Sequence, residues 1–294
     1  MKRVGGALGS MLLLLSVRGE KPLGFHAEKP FPHAVDTPTS FLTLPPQRVV
    51  GRSRQRIIEA LKLHEGRSYP VWARLLAQQW QGIPYGSGGA GLGPTELLLN
   101  LEQMDCMTAV ENLLALHQTT LMKGKTPEDF AAALAAVRYH AVPPCRWEDR
   151  YHYLTHAFIE WEEKGWGTWL PLGIPDNRPI HYITHNPKKY GGFTDWTFLR
   201  SVEGRLSTRP RYYIPSKAIH EWLPFLQDGD LIAFVSPQEG LDVSHVGVFF
   251  WEGEKATFSH ASLIAKKWVY GEDLCAYLDK RGEKVKGITV FRPF

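Results

Sequence analysis

Gln103-Met104-Asp105-Cys106-Met107-Thr108 leads into Thr108–Leu121, where Val110, Leu113, Leu114 and Leu121 recur at helical spacing. A cysteine at the start of such a helix sits at the positive end of the macrodipole, beside backbone N–H groups without helical partners. That placement is expected to lower its pKa from about 8.5 toward roughly 3.5–7.5. Buried cysteines are common and mostly inert, so the thiol is a nucleophile only if a base reaches it. Two candidates stand far downstream, His245 in Ser244-His245-Val246-Gly247-Val248 and His260 in Ser259-His260-Ala261-Ser262. A single cysteine with distant histidine partners is the layout of a Cys–His hydrolase, whose groups meet in space and not in sequence.

Outward from Cys106, the upstream half reads as helical. Ser53–His64 and Tyr69–Gln79 carry apolar stripes, and Pro127–Tyr139 and Arg150–Glu163 read as two further helices. Gly165–Ser216 mixes Trp, Tyr, Pro and Gly and reads as an irregular insertion. Downstream, Leu231–Val235, Ser244–Trp251, Thr257–His260, Lys267–Tyr270 and Gly287–Arg292 read as strands, with a helical turn or two at Asp273–Leu278. Helices first and an antiparallel sheet afterwards is an α+β pattern.

The chain has 294 residues, 44% of them hydrophobic, enough for a full core. Its formal net charge is +4, and three of the cations (Lys2, Arg3 and Arg18) lie at the extreme N-terminus. No basic run or basic helix face remains elsewhere, so nucleic acid is not an expected partner. Met1–Gly19 has a charged start, an apolar stretch over Val4–Val17 and a small residue at its end, which reads as an export signal. The stretch is shorter than the about 20 residues of a spanning helix, so stable membrane insertion is not expected. Glu20–Pro46 reads as an arm or linker, and residues 47–294 as a single domain with the insertion around 165–216. With three cysteines in an exported chain and Cys106 free, Cys145 and Cys275 are two buried thiols or a bridge, and spacing leaves both open.

Side chains alternate along a strand, so His245, Gly247 and Phe249 share one face and Val246 and Val248 the other. Gly247 is expected to let the end of the Cys106 helix approach. His260 follows far enough along for one strand, a turn and a return strand, which brings it beside His245 to hold that ring in one tautomer. In this scheme Cys106 attacks a carbonyl, its backbone N–H donates to the oxyanion, and His245 is general base and then acid. Asp242 is either a turn residue or a substrate contact. The Gly-rich stretch Gly86–Gly93 lacks a following Lys and is no phosphate cradle. It reads as a mobile loop beside the chemistry. His152-x3-His156 and His181-x3-His185 lack the Glu of HExxH, so no metal site and no cofactor are expected.

Ile83-Pro84-Tyr85, Met104-Asp105-Cys106-Met107-Thr108-Ala109-Val110-Glu111-Asn112, Arg150-Tyr151-His152-Tyr153, Gly229-Asp230-Leu231-Ile232, Leu241-Asp242-Val243-Ser244-His245-Val246-Gly247 and His260-Ala261-Ser262 follow in that order. Together they resemble the NlpC/P60 superfamily of cell-wall cysteine peptidases, and within it the N-acetylmuramoyl-L-alanine amidase-like branch. The resemblance runs from about Ser53 to Phe294. It implies a papain-like α+β fold, helices packed on an antiparallel sheet, with a Cys106–His245–His260 triad. It also implies a periplasmic enzyme acting on peptidoglycan fragments at the amide between N-acetylmuramic acid and L-alanine. The alternatives are a γ-D-glutamyl-diamino acid endopeptidase on the same triad and a wall-binding module without turnover. Tyr85, Asp105 and Ser244 match positions that line the stem-peptide pocket. Arg150 matches a position typical of the branch, where a guanidinium would grip a stem-peptide carboxylate. The sequence does not indicate an oligomeric state.

Overall fold

Gln47–Val49 (β1) pairs in parallel with Leu97–Leu99 (β2), tying the first described residues to the segment before Cys106. Between them run two helices, Ser53–His64 (α1) and Tyr69–Gln79 (α2). The apolar spacing predicts both spans, and Pro70 stands in the first turn of α2, where a missing N–H costs nothing. The computed structural model describes residues 44–86, 96–141 and 147–294. All of these fall within one compact unit, Phe41–Phe294. The export segment, nearly all of the arm, most of the Gly-rich stretch and Cys145 lie outside the described residues.

The helical layer continues with Cys106–Leu121 (α3), Pro127–Arg138 (α4) and Leu154–Glu163 (α5). α3 starts two residues before the predicted Thr108. α5 starts four residues after the predicted Arg150, because Trp147–Asp149 forms a 3-10 turn and Arg150 bridges Tyr139.

The segment expected to be irregular is more regular than its composition suggests. It holds Gly167–Leu170 (β3), Ile174–Pro175 (β4), Trp196–Thr208 (α6) and Tyr212–Pro215 (β5). Ile180, Ile183, Phe193, Leu199 and Leu206 build a small core against Tyr153 and Ile159. The short helix Ile219–Trp222 (α7) follows. Then come Leu231–Val235 (β6), Val243–Glu252 (β7), Lys255–Ser262 (β8), Lys267–Asp273 (β9), Leu274–Arg281 (α8) and Gly287–Pro293 (β10).

These strands make one sheet of order β4-β5-β10-β6-β7-β8-β9, with β3 also on β10. Every pairing within it is antiparallel. Alternation along β7 divides the two faces. Val246, Val248 and Phe250 pack with Trp72, Val110, Leu113 and Leu114 of the helical layer. Phe249 turns the other way, to Phe234, Phe258 and the α8 residues Leu274, Tyr277 and Leu278.

The β7–β8 register runs from Glu252↔Lys255 to Val248↔Ser259, and an irregularity follows in the β8–β9 register between Phe258 and His260. His245, Val246 and Gly247 therefore run past the end of that ladder. Gly247 serves a different neighbour from the one the sequence suggests. A Cβ there would stand 2.8 Å from the Ser259 carbonyl oxygen and 3.2 Å from His260 Cβ, so the bare backbone makes room for β8 and not for the helix end. Gly247→Ala is expected to lose about 1–3 kcal/mol through overpacking, checked by urea unfolding, with amide hydrolysis falling further because His260 is displaced.

Candidate active site

Asp105 is the N-cap of α3. Its Oδ1 accepts from Thr108 N–H at 2.7 Å, and Thr108 Oγ1 accepts from Asp105 N–H at 2.9 Å. This reciprocal pair satisfies two of the helix's orphan donors and sets where the helix begins. Cys106 is the first helical residue, half-buried against the main core. Its sulfur lies within hydrogen-bonding reach of the backbone N–H groups of Val246, Met107 and Cys106 itself. Val246 follows His245 on β7, so the helix start meets the sheet where β7 and β8 part.

His245 and His260 are joined by a 2.6 Å hydrogen bond between Nε2 of the first and Nδ1 of the second. The rings stand nearly perpendicular, with centroids 4.8 Å apart. His260 Nε2 lies 2.6 Å from Glu272 Oε2. A carboxylate only accepts, so His260 carries its proton on Nε2 and its Nδ1 accepts. His245 then donates from Nε2, which leaves the lone pair on its Nδ1. Phe234, Phe258 and Tyr277 wall the two rings.

The electrostatics differ from the expectation of a depressed thiol pKa. Desolvation, and next the neighbouring Asp105 carboxylate, push the Cys106 thiol up to about 12, and the three backbone N–H groups only partly oppose this. Burial, then His260 and Arg281, bring His245 down to about 3. Burial also lowers His260, against the pull of Glu272. Both shifts disfavour a thiolate–imidazolium pair at rest.

Of the expected pocket residues, Tyr85 stays with the site. Its backbone bridges Met104, and its phenol is raised by burial and then by Cys106 and Asp105. Ser244 is exposed on β7, one residue before His245. Asp105 spends one carboxylate oxygen on its capping box.

Arg150 is not a surface grip. It is buried, with Nη2 on Glu111 Oε1 at 2.8 Å, while Arg138 Nε takes Glu111 Oε2 at 2.7 Å. One buried carboxylate on α3 thus holds two guanidiniums. Asp242 is buried as well. Its Oδ2 accepts from Thr155 N–H at 2.9 Å and its Oδ1 from Val243 N–H at 2.7 Å. It caps the first turn of α5, whose own N-cap Tyr153 makes no side-chain capping bond, which favours the turn reading over the substrate-contact reading. His152 bonds the Trp147 carbonyl and His156 accepts from Arg205. Among the described residues no group of three or more His, Cys, Asp or Glu is arranged to hold a metal ion.

Residues 75–288 match the model of the N-acetylmuramoyl-L-alanine amidase-like family. The chain belongs to this amidase-like family. Two solved structures of N-acetylmuramoyl-L-alanine amidase from Bacteroides uniformis are similar to it. One has 25% identity and a TM-score of 0.66, covering 83% of this chain and 99% of that one. The other has 27% identity and a TM-score of 0.65, covering 74% and 96%. A Legionella pneumophila protein, LPG0564, shares the fold at 19% identity and a TM-score of 0.63, covering 83% and 95%. No curated protein matches the chain.

Sequence reasoning on this amidase-like chain missed Glu272 and Glu111. Glu272 lies beyond the predicted end of its strand at Tyr270, on the added residues that bring β9 to Asp273. Glu111 sits on α3 between apolar positions and inside the motif around Cys106, but neither signal showed its two guanidinium partners. Glu111→Gln removes the shared charge and leaves two buried guanidiniums without it, so a loss of about 3–5 kcal/mol is expected in urea unfolding. The raised thiol has its own consequence. Alkylation of Cys106 by iodoacetamide, followed by mass spectrometry, should be slow at pH 6–7 and still rising above pH 9. A rate already level by pH 6 would show a resting ion pair instead.

Proposed function

We propose that the protein is an exported cysteine amidase that cleaves the amide between the lactyl group of N-acetylmuramic acid and L-alanine in muropeptides. The observation that carries this reading is that Cys106, at the start of α3, reaches the backbone of Val246, the residue after His245, and that His245 is hydrogen-bonded to His260. Membership of the amidase-like family supplies the substrate class. The order of the parts, a cysteine opening a helix and then two histidines on adjacent strands, supports the papain-like NlpC/P60 arrangement. Met1–Gly19 supports export to the periplasm. Among the described residues no helix is long and apolar enough to cross a membrane.

The reaction needs no separate ionisation of the thiol. As Cys106 sulfur bonds to the amide carbon, its proton passes to His245 Nδ1. The backbone N–H of Cys106 donates to the oxyanion. The C–N bond then breaks, and His245 returns the proton to the departing amine of L-alanine. Water attacks the thioester and gives a proton to His245. The C–S bond breaks, the lactyl carboxylic acid leaves, and His245 reprotonates the sulfur. Tyr85, Ser244 and the second oxygen of Asp105 border the path by which the stem peptide enters. Arg150 and Asp242 act in this reading through the scaffold contacts they make to Glu111, Thr155 and Val243.

Product analysis tests this reading. A sugar-linked stem peptide should release the intact peptide beginning with L-alanine, and Cys106→Ala should abolish cleavage with unfolding unchanged. Sugar still carrying L-Ala-D-Glu would assign the γ-D-glutamyl endopeptidase reaction instead. A muropeptide bound in calorimetry but never cut would make the protein a wall-binding module. Wild-type rates in Cys106→Ala would end the cysteine mechanism.

A further inference from the structure

The hydrogen-bond chain from His245 does not stop at His260. His260 is buried, and its outer nitrogen, Nε2, meets Glu272 Oε2 at 2.6 Å. Glu272 stands on β9, across from Phe258 on β8, at the irregularity where the β8–β9 register shifts before His260. The carboxylate is 37% exposed while the His260 side chain is 3% exposed, so the chain runs from the buried site out to water. We propose that Glu272 is a positioning residue for the amidase reaction: by accepting from His260 Nε2 it selects the tautomer that leaves His245 Nδ1 free to take the Cys106 proton. This inference rests on the cysteine mechanism above.

The chemistry follows from the inventory of donors and acceptors. A neutral imidazole has one N–H and one lone pair. Without the carboxylate, His260 is free to carry its proton on Nδ1. Two N–H groups would then face each other at His245 Nε2, or His245 would shift its own proton to Nδ1. In the second case the base is occupied, and transfer from the thiol is blocked. Glu272 removes that state by being unable to donate. When His245 takes up the thiol proton, the imidazolium gains a carboxylate two bonds along the chain. That charge partly offsets the cost of ionising a buried ring.

The other groups around the pair do not substitute for Glu272. Phe234 on β6 and Phe258 on β8 are apolar. Tyr277 on α8 presents its ring, and its hydroxyl accepts from Arg281 Nη2 at 2.9 Å. Arg281 disfavours protonation of both histidines. On the α3 side stand the Cys106 thiol and the Asp105 carboxylate held in its capping box. Glu272 is thus the acceptor within hydrogen-bonding distance of His260 Nε2.

Glu272→Gln keeps size and polarity but allows an N–H to face His260. Its kcat on the sugar-linked stem peptide is expected to fall about 10- to 100-fold, at or below the about 100-fold lower limit typical of a general base itself, with KM little changed. Loss of the carboxylate lowers the proton affinity of the histidine pair, so the acid limb of kcat/KM moves to lower pH. Glu272→Asp should recover part of the rate. A second readout needs no turnover. In the Cys106→Ala background, nitrogen-15 NMR of the ring nitrogens should show His260 protonated on Nε2, and Glu272→Ala should abolish that single tautomer. Unchanged rates and an unmoved acid limb in Glu272→Gln would overturn the proposal, as would a drop in unfolding midpoint with the acid limb in place. If the parent enzyme never cuts the peptide, the mechanism falls, and the NMR experiment still decides whether Glu272 sets the tautomer.

Discussion

One half-buried sulfur atom, at the point where a helix start meets two parting strands, is the constraint on which the rest of this structure turns. The helix macrodipole and three backbone N–H groups favour an anion there, yet burial and Asp105 outweigh them and keep the thiol protonated. A neutral thiol demands a base that is itself neutral and correctly oriented. In the proposed mechanism the His245–His260 pair is that base: burial disfavours charge on the rings, and the hydrogen bond between them orients them.

The surrounding architecture serves this junction. The Asp105–Thr108 capping box sets the first residue of α3, and hence the height of Cys106 above the sheet. Val246, Val248 and Phe250 lock β7 against the helical layer. Phe249, Phe258 and Tyr277 hold the opposite face against α8. The missing Cβ of Gly247 lets β8 come close enough for His260 to reach His245. The strongest buried charges lie in the scaffold: the Arg138–Glu111–Arg150 cluster ties α3 to α4 and to the bridge before α5, and Asp242 ties β7 to the start of α5. Breaking either would loosen the frame without touching the reacting atoms.

Helices α1 and α2 and strand β6 were legible in the sequence to the residue, because their stripes are long or their ends carry strong turn signals. The stretch from Gly165 to Ser216 was not. Its strands are two to four residues long and are stabilised by pairing with each other and with the far C-terminal strand, a partner that local composition does not reveal. Arg150 and Asp242 carry charge in motif-rich segments, and a charge in such a place reads equally well as a ligand contact or as a buried tie.

What the sequence by itself determined is the order of the chemistry: a cysteine at a helix start, two histidines on successive strands, and alternation that sets His245, Gly247 and Phe249 on one face of β7. These are local properties, written in spacings of two and of 3.6 residues. What only the tertiary structure decided is the upward push on the thiol pKa, the place of Glu272 at the outer end of the histidine pair, and the contacts that Arg150 and Asp242 make within the scaffold. Each of these depends on burial and on neighbours far away in the chain, and desolvation is set by the whole packed fold and not by any segment of it.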